Sequence, residues 1–190
     1  ALALNSCTGA LHTALATLGI GPGNEVITTA MTFTSTVNVI EHVGAKPVLV
    51  DVEADTLNIN PQEIADAITT RTKAIMLVHY AGHPVDLDSI YDLAKERGLF
   101  VIEDAAHAFP AEYKGRKIGS GKNPVAFSFY ATKNITTAEG GMLTGEETFI
   151  ENARVISLHG MSHDAWKRYD KGGSWYYEVI YPGFKYNMTD

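Results

Sequence analysis

Short runs of apolar, β-branched residues alternate with segments of helical spacing along most of the chain. The strand-like runs are Glu25–Thr28, Pro47–Val52, Ala74–Tyr80, Leu99–Glu103, Val125–Phe129 and Gly141–Thr144. The helical segments are Ala10–Leu18, Phe33–Val43, Pro61–Thr69, Leu87–Arg97 and Glu147–Leu158. Nearly continuous apolar strands indicate burial on both faces. The alternation therefore predicts an α/β fold with a mostly parallel central sheet and helices on both faces.

The pattern breaks down after Gly160. Residues 163–181 are rich in Trp, Tyr, Gly and Lys and show no clean period. A long irregular segment in a domain of this kind is often functional. We expect substrate contacts in the 162–181 loop.

Composition narrows the classes of function. The chain has 190 residues, of which 45% are hydrophobic and 19% charged, as in globular proteins. A net charge of -7 without a basic run argues against a nucleic-acid partner. No apolar run approaches the ~20 residues of a membrane helix, so no membrane partner is expected. Cys7 is the single cysteine, which fits a cytoplasmic location. The chain does not begin with Met, and we interpret it as part of a longer protein.

A carboxylate and a lysine each follow a predicted strand. Asp104 directly follows the run Leu99–Glu103, and Lys133 lies soon after Val125–Phe129. A pyridoxal phosphate (PLP) enzyme needs a lysine that forms a Schiff base with the cofactor aldehyde and a carboxylate that keeps the ring nitrogen protonated. The alternatives are an aspartate that caps a following helix and a solvated surface lysine.

Other residues at the predicted strand ends suit the same cofactor. Small polar residues at Asn5–Leu11 place free N–H groups at a helix start, which favours a phosphate site, although an ordinary N-cap gives the same pattern. Ser128 can donate to the phosphate. Phe33 could stack on a flat ring or pack at the start of its helix. Gly140 and Gly141 allow backbone to pass close to a ligand.

Histidines offer further candidates. His107 follows Asp104 by three residues, where it could bind the cofactor's 3-oxygen or be a core histidine. His79 and His83 lie four apart, but proline follows and no further ligand clusters nearby, so no metal site is predicted. No P-loop, dinucleotide-binding glycine motif or nucleophile elbow is present.

The order of these motifs resembles the DegT/StrS family of PLP-dependent sugar aminotransferases, which have the aspartate aminotransferase fold. The resemblance runs nearly end to end. It is most specific at Gly23–Ile27, Thr32–Phe33, Val78–Gly82, Glu103–His107 and Ser128–Thr136.

The resemblance implies a role for each matching residue. Lys133 would form the Schiff base and Asp104 would hold the ring nitrogen. The implied cofactor-binding residues are Cys7, Thr8, Phe33, Asp104, His107, Ser128 and Lys133. Ser128 and the amides of Cys7 and Thr8 would hold the phosphate. Lys185 stands where many members carry an Asn that reaches the partner subunit's phosphate.

The resemblance also implies an architecture and a reaction. Members are about twice as long, so residues 1–190 would be a PLP-binding large domain without its N-terminal segment and small C-terminal domain. The implied reaction moves an amino group from glutamate, giving 2-oxoglutarate, to C4 of a nucleotide-linked keto sugar in a cytoplasmic homodimer. The likeness is closest to the UDP-4-amino-4-deoxy-arabinose group.

Two alternatives stay open within this fold, and one outside it. Dehydratases of the family carry His in place of the lysine, so Lys133 argues against that activity. A regulator could keep the PLP fold without catalysis. A sheet protein without a cofactor is the remaining possibility.

Overall fold

A computed structural model describes residues 1–162 and 178–189. The strands are Leu2–Leu4 (β1), Glu25–Thr29 (β2), Lys46–Val50 (β3), Thr72–Val78 (β4), Phe100–Asp104 (β5), Glu112–Tyr113 (β6), Arg116–Lys117 (β7), Val125–Ser128 (β8) and Gly141–Thr144 (β9). The α-helices are Cys7–Thr17 (α1), Thr34–His42 (α2), Pro61–Ala67 (α3), Leu87–Arg97 (α4) and Glu147–Ser157 (α5), and Tyr80–Gly82 forms a 3₁₀ turn.

Within these residues, seven strands form one sheet in the order β1-β9-β8-β5-β4-β2-β3. Six strands run in one direction, and β9 runs antiparallel to both of its neighbours, β8 and β1. The predicted α/β fold with a mostly parallel sheet is therefore confirmed. The strands β6 and β7 form a separate hairpin.

Helices cover both faces of the sheet, as predicted. Along β4, Ala74 and Met76 enter one hydrophobic core, and Ile75 and Leu77 enter the other. This alternation is the period of two that places successive side chains on opposite faces of a sheet. Helices α1, α2 and α5 pack over the first core, and α3 and α4 pack over the second.

The edge strand differs from the prediction. We expected the strands to be buried on both faces, but β3 is the last strand of the sheet and Leu49 is 53% exposed. In the central strands β2 and β4, burial is nearly complete. The expectation is therefore wrong at the edge, where neighbours cover only part of the strand.

The helix boundaries follow local chemistry. Helix α4 has the predicted bounds because Asp86 caps its first turn and Gly98 ends it at a φ of 65°. Helix α3 begins with Pro61 behind an Asn60 cap, as the sequence indicates. No helix in the described residues is long and apolar enough to cross a membrane.

The fold brings several strand ends to one edge. Strands β2, β4, β5 and β8 are parallel, so their carboxyl ends lie at the same edge of the sheet. Strand β1 runs in the same direction and leads directly into α1. Ligands of parallel sheets bind at this edge.

Candidate active site

A cavity of about 840 Å³ lies at this edge of the sheet. The seven residues predicted to bind a cofactor, which come from four separate segments, all line it. They are Cys7, Thr8, Phe33, Asp104, His107, Ser128 and Lys133. The fold thus brings the whole predicted set to one cavity.

The first turn of α1 provides an anion site. Ser6 is the N-cap, and its Oγ accepts a hydrogen bond from the Gly9 N–H at 3.0 Å. The N–H groups of Cys7 and Thr8 have no intrahelical acceptor, and no other acceptor in the described part of the chain takes them. Both N–H groups lie at the positive end of the helix dipole, where binding of a negatively charged group is favourable. Ser6 therefore caps the helix while the free N–H groups of the same turn can bind an anion, so the two interpretations of this segment do not exclude each other.

Gly141 lets this helix start lie beside Ser128. Gly141 in β9 is paired with Ser128 in β8. A Cβ on Gly141 would lie 2.5 Å from the Cys7 backbone nitrogen and 2.6 Å from the Ser6 carbonyl oxygen. We expected both glycines to admit a ligand. Gly140 does line the cavity, whereas Gly141 makes room for protein backbone.

Asp104 is a buried carboxylate, 4% exposed, at the end of β5. Its Oδ2 accepts from the Thr36 hydroxyl at 2.8 Å, and its Oδ1 accepts from the Ala106 N–H at 3.1 Å. No helix follows it, so the helix-cap alternative is wrong. No cationic side chain in the described residues forms a salt bridge with it. A buried carboxylate facing a cavity suits a cationic ligand group.

Lys133 and His107 meet in the same cavity. The Lys133 Nζ lies 2.7 Å from the His107 Nε2. Partial burial and the positive charge of Lys133 lower the pKa of His107, so the neutral ring accepts a hydrogen bond from the Lys133 amine. His107 is exposed, which makes the core-histidine alternative wrong, and Lys133 is half-buried instead of being a solvated surface residue.

Phe33 forms part of the cavity wall. It precedes α2 and is 75% exposed, so packing at the helix start does not explain it. An exposed ring on the same cavity as Asp104 and Lys133 offers a flat apolar surface to a ligand.

A buried polar network beside the cavity was not predicted. The Nδ1 of His79 accepts from the Val85 N–H at 3.2 Å, so Nε2 carries the proton and donates to Glu103 at 2.9 Å. The Tyr91 hydroxyl donates to the second oxygen of Glu103. Both nitrogens of His79 are therefore occupied, and no group of metal-binding side chains occurs in the described ranges.

Two further predictions concern the 162–181 loop and Lys185. Residues 163–177, which make up most of the 162–181 loop, fall outside the described residues. Lys185 is exposed and its Nζ contacts the side chain of Asn187.

The chain matches the family model described as the DegT/DnrJ/EryC1/StrS aminotransferase family over residues 1–190. It is 59% identical over its full length to the Methanocaldococcus jannaschii protein MJ1066 and 56% identical to the Bacillus subtilis spore coat polysaccharide biosynthesis protein SpsC. It covers 50% and 49% of those two proteins. The chain thus spans about half the length of the curated relatives it matches.

Solved structures show the same architecture. Spr1654 from Streptococcus pneumoniae, solved in its PLP form, is 38% identical with a TM-score of 0.88, over 99% of this chain and 51% of that one. An aminotransferase from Psychrobacter cryohalolentis is 39% identical with a TM-score of 0.91, over 98% of this chain and 48% of that one.

Proposed function

Because this chain belongs to the DegT/DnrJ/EryC1/StrS aminotransferase family, we propose that it is the cofactor-binding part of a sugar aminotransferase. Pyridoxal 5′-phosphate is its cofactor, as the family and the solved PLP form of the pneumococcal relative indicate. The relative in spore coat polysaccharide biosynthesis supports a sugar as the amino acceptor. The observation that carries the proposal is the placement of Lys133 and Asp104 on one cavity.

The residues present fit this cofactor. The N–H groups of Cys7 and Thr8, which have no acceptor among the described residues, and the Ser128 hydroxyl on the same cavity offer donors for its phosphate. Asp104 forms no salt bridge within residues 1–162 and 178–189 and would hold the ring nitrogen in its protonated form. Phe33 would lie against the ring. His107 would contact the 3-oxygen.

When bound, pyridoxal phosphate supplies an aldehyde carbon that carries the amino group and a ring that accepts electrons. Lys133 supplies the amine that attaches this carbon to the protein. With an amino donor in its place, the free Lys133 amine would take the proton from the donor's α-carbon and deliver it to the aldehyde-derived carbon. His107, which its surroundings keep neutral, accepts a hydrogen bond from Lys133 and so orients that amine.

The finer assignment concerns substrates. We infer that glutamate is the amino donor and that the acceptor is a nucleotide-linked keto sugar aminated at C4. The support is the combination of motifs Val78–Gly82, Glu103–His107 and Lys185–Asn187, which resembles the UDP-4-amino-4-deoxy-arabinose group. Residues 1–190 would be the large domain of a longer cytoplasmic protein that acts as a homodimer.

A half-reaction tests the proposal. The full-length protein loaded with pyridoxal phosphate is mixed with glutamate, and absorbance and 2-oxoglutarate are measured. An aminotransferase converts the cofactor to its amine form and releases one 2-oxoglutarate for each site. Nucleotide-linked keto sugars are then screened for their ability to reverse the absorbance change. A PLP-fold regulator would show no conversion.

Matched lysine variants give the control. Lys133→Ala should fold and show no conversion, because the amine that moves the proton is gone. Lys122→Ala removes an exposed lysine that precedes β8, at the end opposite to the cavity, and should react as the unmodified protein does. Conversion by Lys133→Ala at the unmodified rate would refute the assigned role.

A further inference from the structure

Thr36 is a fully buried polar residue whose hydroxyl reaches the proposed site. It lies in α2, is 0% exposed and contacts Asp104 Oδ2 at 2.8 Å across 68 residues of sequence. Thr36 itself does not line the cavity. Its hydroxyl therefore acts on the site through Asp104.

The direction of the hydrogen bonds follows from the donor count. A charged carboxylate only accepts, so the single hydroxyl proton of Thr36 goes to Asp104. The Thr32 Oγ1 lies 2.7 Å from the Thr36 Oγ1 and must then donate to it. Thr32, Thr36 and Asp104 form a chain in which each donor polarises the next.

The other carboxylate oxygen is also held. The Asp104 Oδ1 accepts from the Ala106 N–H, and the Cys7 Sγ lies 3.8 Å away. Burial, and then the charge of Asp104, raise the pKa of the Cys7 thiol well above its ordinary value, so the thiol stays protonated and can donate. Donors on both oxygens fix the plane of the carboxylate while part of its accepting capacity still faces the cavity.

We propose that Thr36 is a positioning residue, whose hydroxyl, oriented by Thr32, holds the Asp104 carboxylate directed at the ring nitrogen of pyridoxal phosphate. This inference rests on the proposed function and adds to it a residue that touches neither cofactor nor substrate. Thr36 acts through Asp104, so its effect should disappear when the charge on Asp104 is removed.

The test compares Thr36→Val with Thr36→Ser in the full-length protein. The dissociation constant for pyridoxal phosphate is measured by fluorescence titration, and the ¹⁵N chemical shift of labelled bound cofactor reports the protonation of its ring nitrogen. Thr36→Val has nearly the same shape but no hydroxyl, and should bind about tenfold more weakly, as expected for losing a hydrogen bond to a charged group. Thr36→Ser keeps the hydroxyl and should bind within about twofold of the unmodified protein.

Thr13→Val is the matched control. Thr13 is also 0% exposed in a helix, but its hydroxyl has no partner in the described part of the chain, so the substitution should leave binding unchanged. A double-mutant cycle then separates positioning from general structure. In an Asp104→Asn background, Thr36→Val should weaken binding no further. A tenfold loss in both backgrounds would overturn the inference.

The outcomes distinguish the two proposals. If the unmodified full-length protein does not bind pyridoxal phosphate, the proposed function fails. If it binds and Thr36→Val behaves like Thr13→Val, only the role of Thr36 fails. Should Thr36→Val not fold, Thr32→Val removes the outer donor and is expected to bind a few-fold more weakly. Unchanged binding by Thr32→Val would then contradict the hydrogen-bond chain.

Discussion

Gly141→Ala is expected to damage the phosphate site without touching a ligand. The new Cβ would lie 2.5 Å from the Cys7 nitrogen and 2.6 Å from the Ser6 oxygen. An ordinary contact is 3.4 Å, and the nearest atom, the Ser6 carbonyl carbon, would lie at 2.3 Å, so the start of α1 must retreat by about 1.1 Å (3.4 minus 2.3). Crowding of this kind costs about 1–3 kcal/mol of folding free energy, against which alanine in a strand regains roughly 0.5–1 kcal/mol.

The larger effect should be on cofactor affinity. The retreat moves the Cys7 and Thr8 N–H groups relative to Ser128, and a hydrogen bond to a charged group contributes about 1.5–3 kcal/mol. Loss of one such bond corresponds to roughly 10- to 100-fold weaker binding of pyridoxal phosphate. Fluorescence titration measures the affinity, and urea unfolding without cofactor measures the stability.

Gly121→Ala is the matched control. Gly121 has open space around its Cβ position and no positive φ, so the same substitution should change neither affinity nor stability appreciably. If Gly141→Ala binds pyridoxal phosphate as tightly as Gly121→Ala does, the close approach of β9 to α1 does not shape the phosphate site, and the reasoning is refuted.

Three further predictions concern single groups. Asp104→Asn should fold but lose about 10²–10³ in the rate of the glutamate half-reaction, as when one electrostatic stabiliser is removed; an unchanged stopped-flow rate would exclude its role at the ring nitrogen. Tyr91→Phe should lower the free energy of urea unfolding by about 1.5–3 kcal/mol because buried Glu103 loses a hydrogen-bond donor. Tyr113→Phe, the control, removes an exposed hydrogen bond to Asp86 and should lower that free energy by under about 1 kcal/mol. Burial and the nearby His42 lower the pKa of His12, so the folded chain binds fewer protons at this site than the unfolded chain does. The free energy of unfolding should therefore be full above the ordinary pKa of 6.5 and decline as the pH falls through that value. A pH series of unfolding curves should show a smaller decline for His12→Gln.

The sequence predicted the elements that carry strong local signals. Helix α4 has a cap at each end, and its observed bounds match the prediction. Strand β9 also has the predicted bounds. By contrast, β1 has three residues and the strands of the hairpin have two each, which is too short for any period to show. The exposed edge position of β3 depends on strand order, which an apolar run does not encode.

The sequence also predicted which residues reach the cavity, but not how they pair. Successive strand ends of a parallel sheet lie at one edge, and this rule placed Asp104, Ser128 and Lys133 correctly. The bond from Thr36 to Asp104 joins residues 68 apart, and no local pattern marks it.

The His79–Glu103 pair did carry a signal that was missed. Glu103 and Asp104 are adjacent in β5, so their side chains point to opposite faces of the sheet. A carboxylate directed away from the cavity and into the core needs a partner. His79, at the end of the neighbouring strand β4, was available to provide it.

The most direct test of the account is to locate the cofactor on the chain. The full-length protein is loaded with pyridoxal phosphate, reduced with borohydride to fix any link between lysine and cofactor, and digested for mass spectrometry. We expect the peptide containing Lys133 to carry the added mass and Lys133→Ala to abolish it. A cofactor attached to any other lysine, or to none, would contradict this expectation.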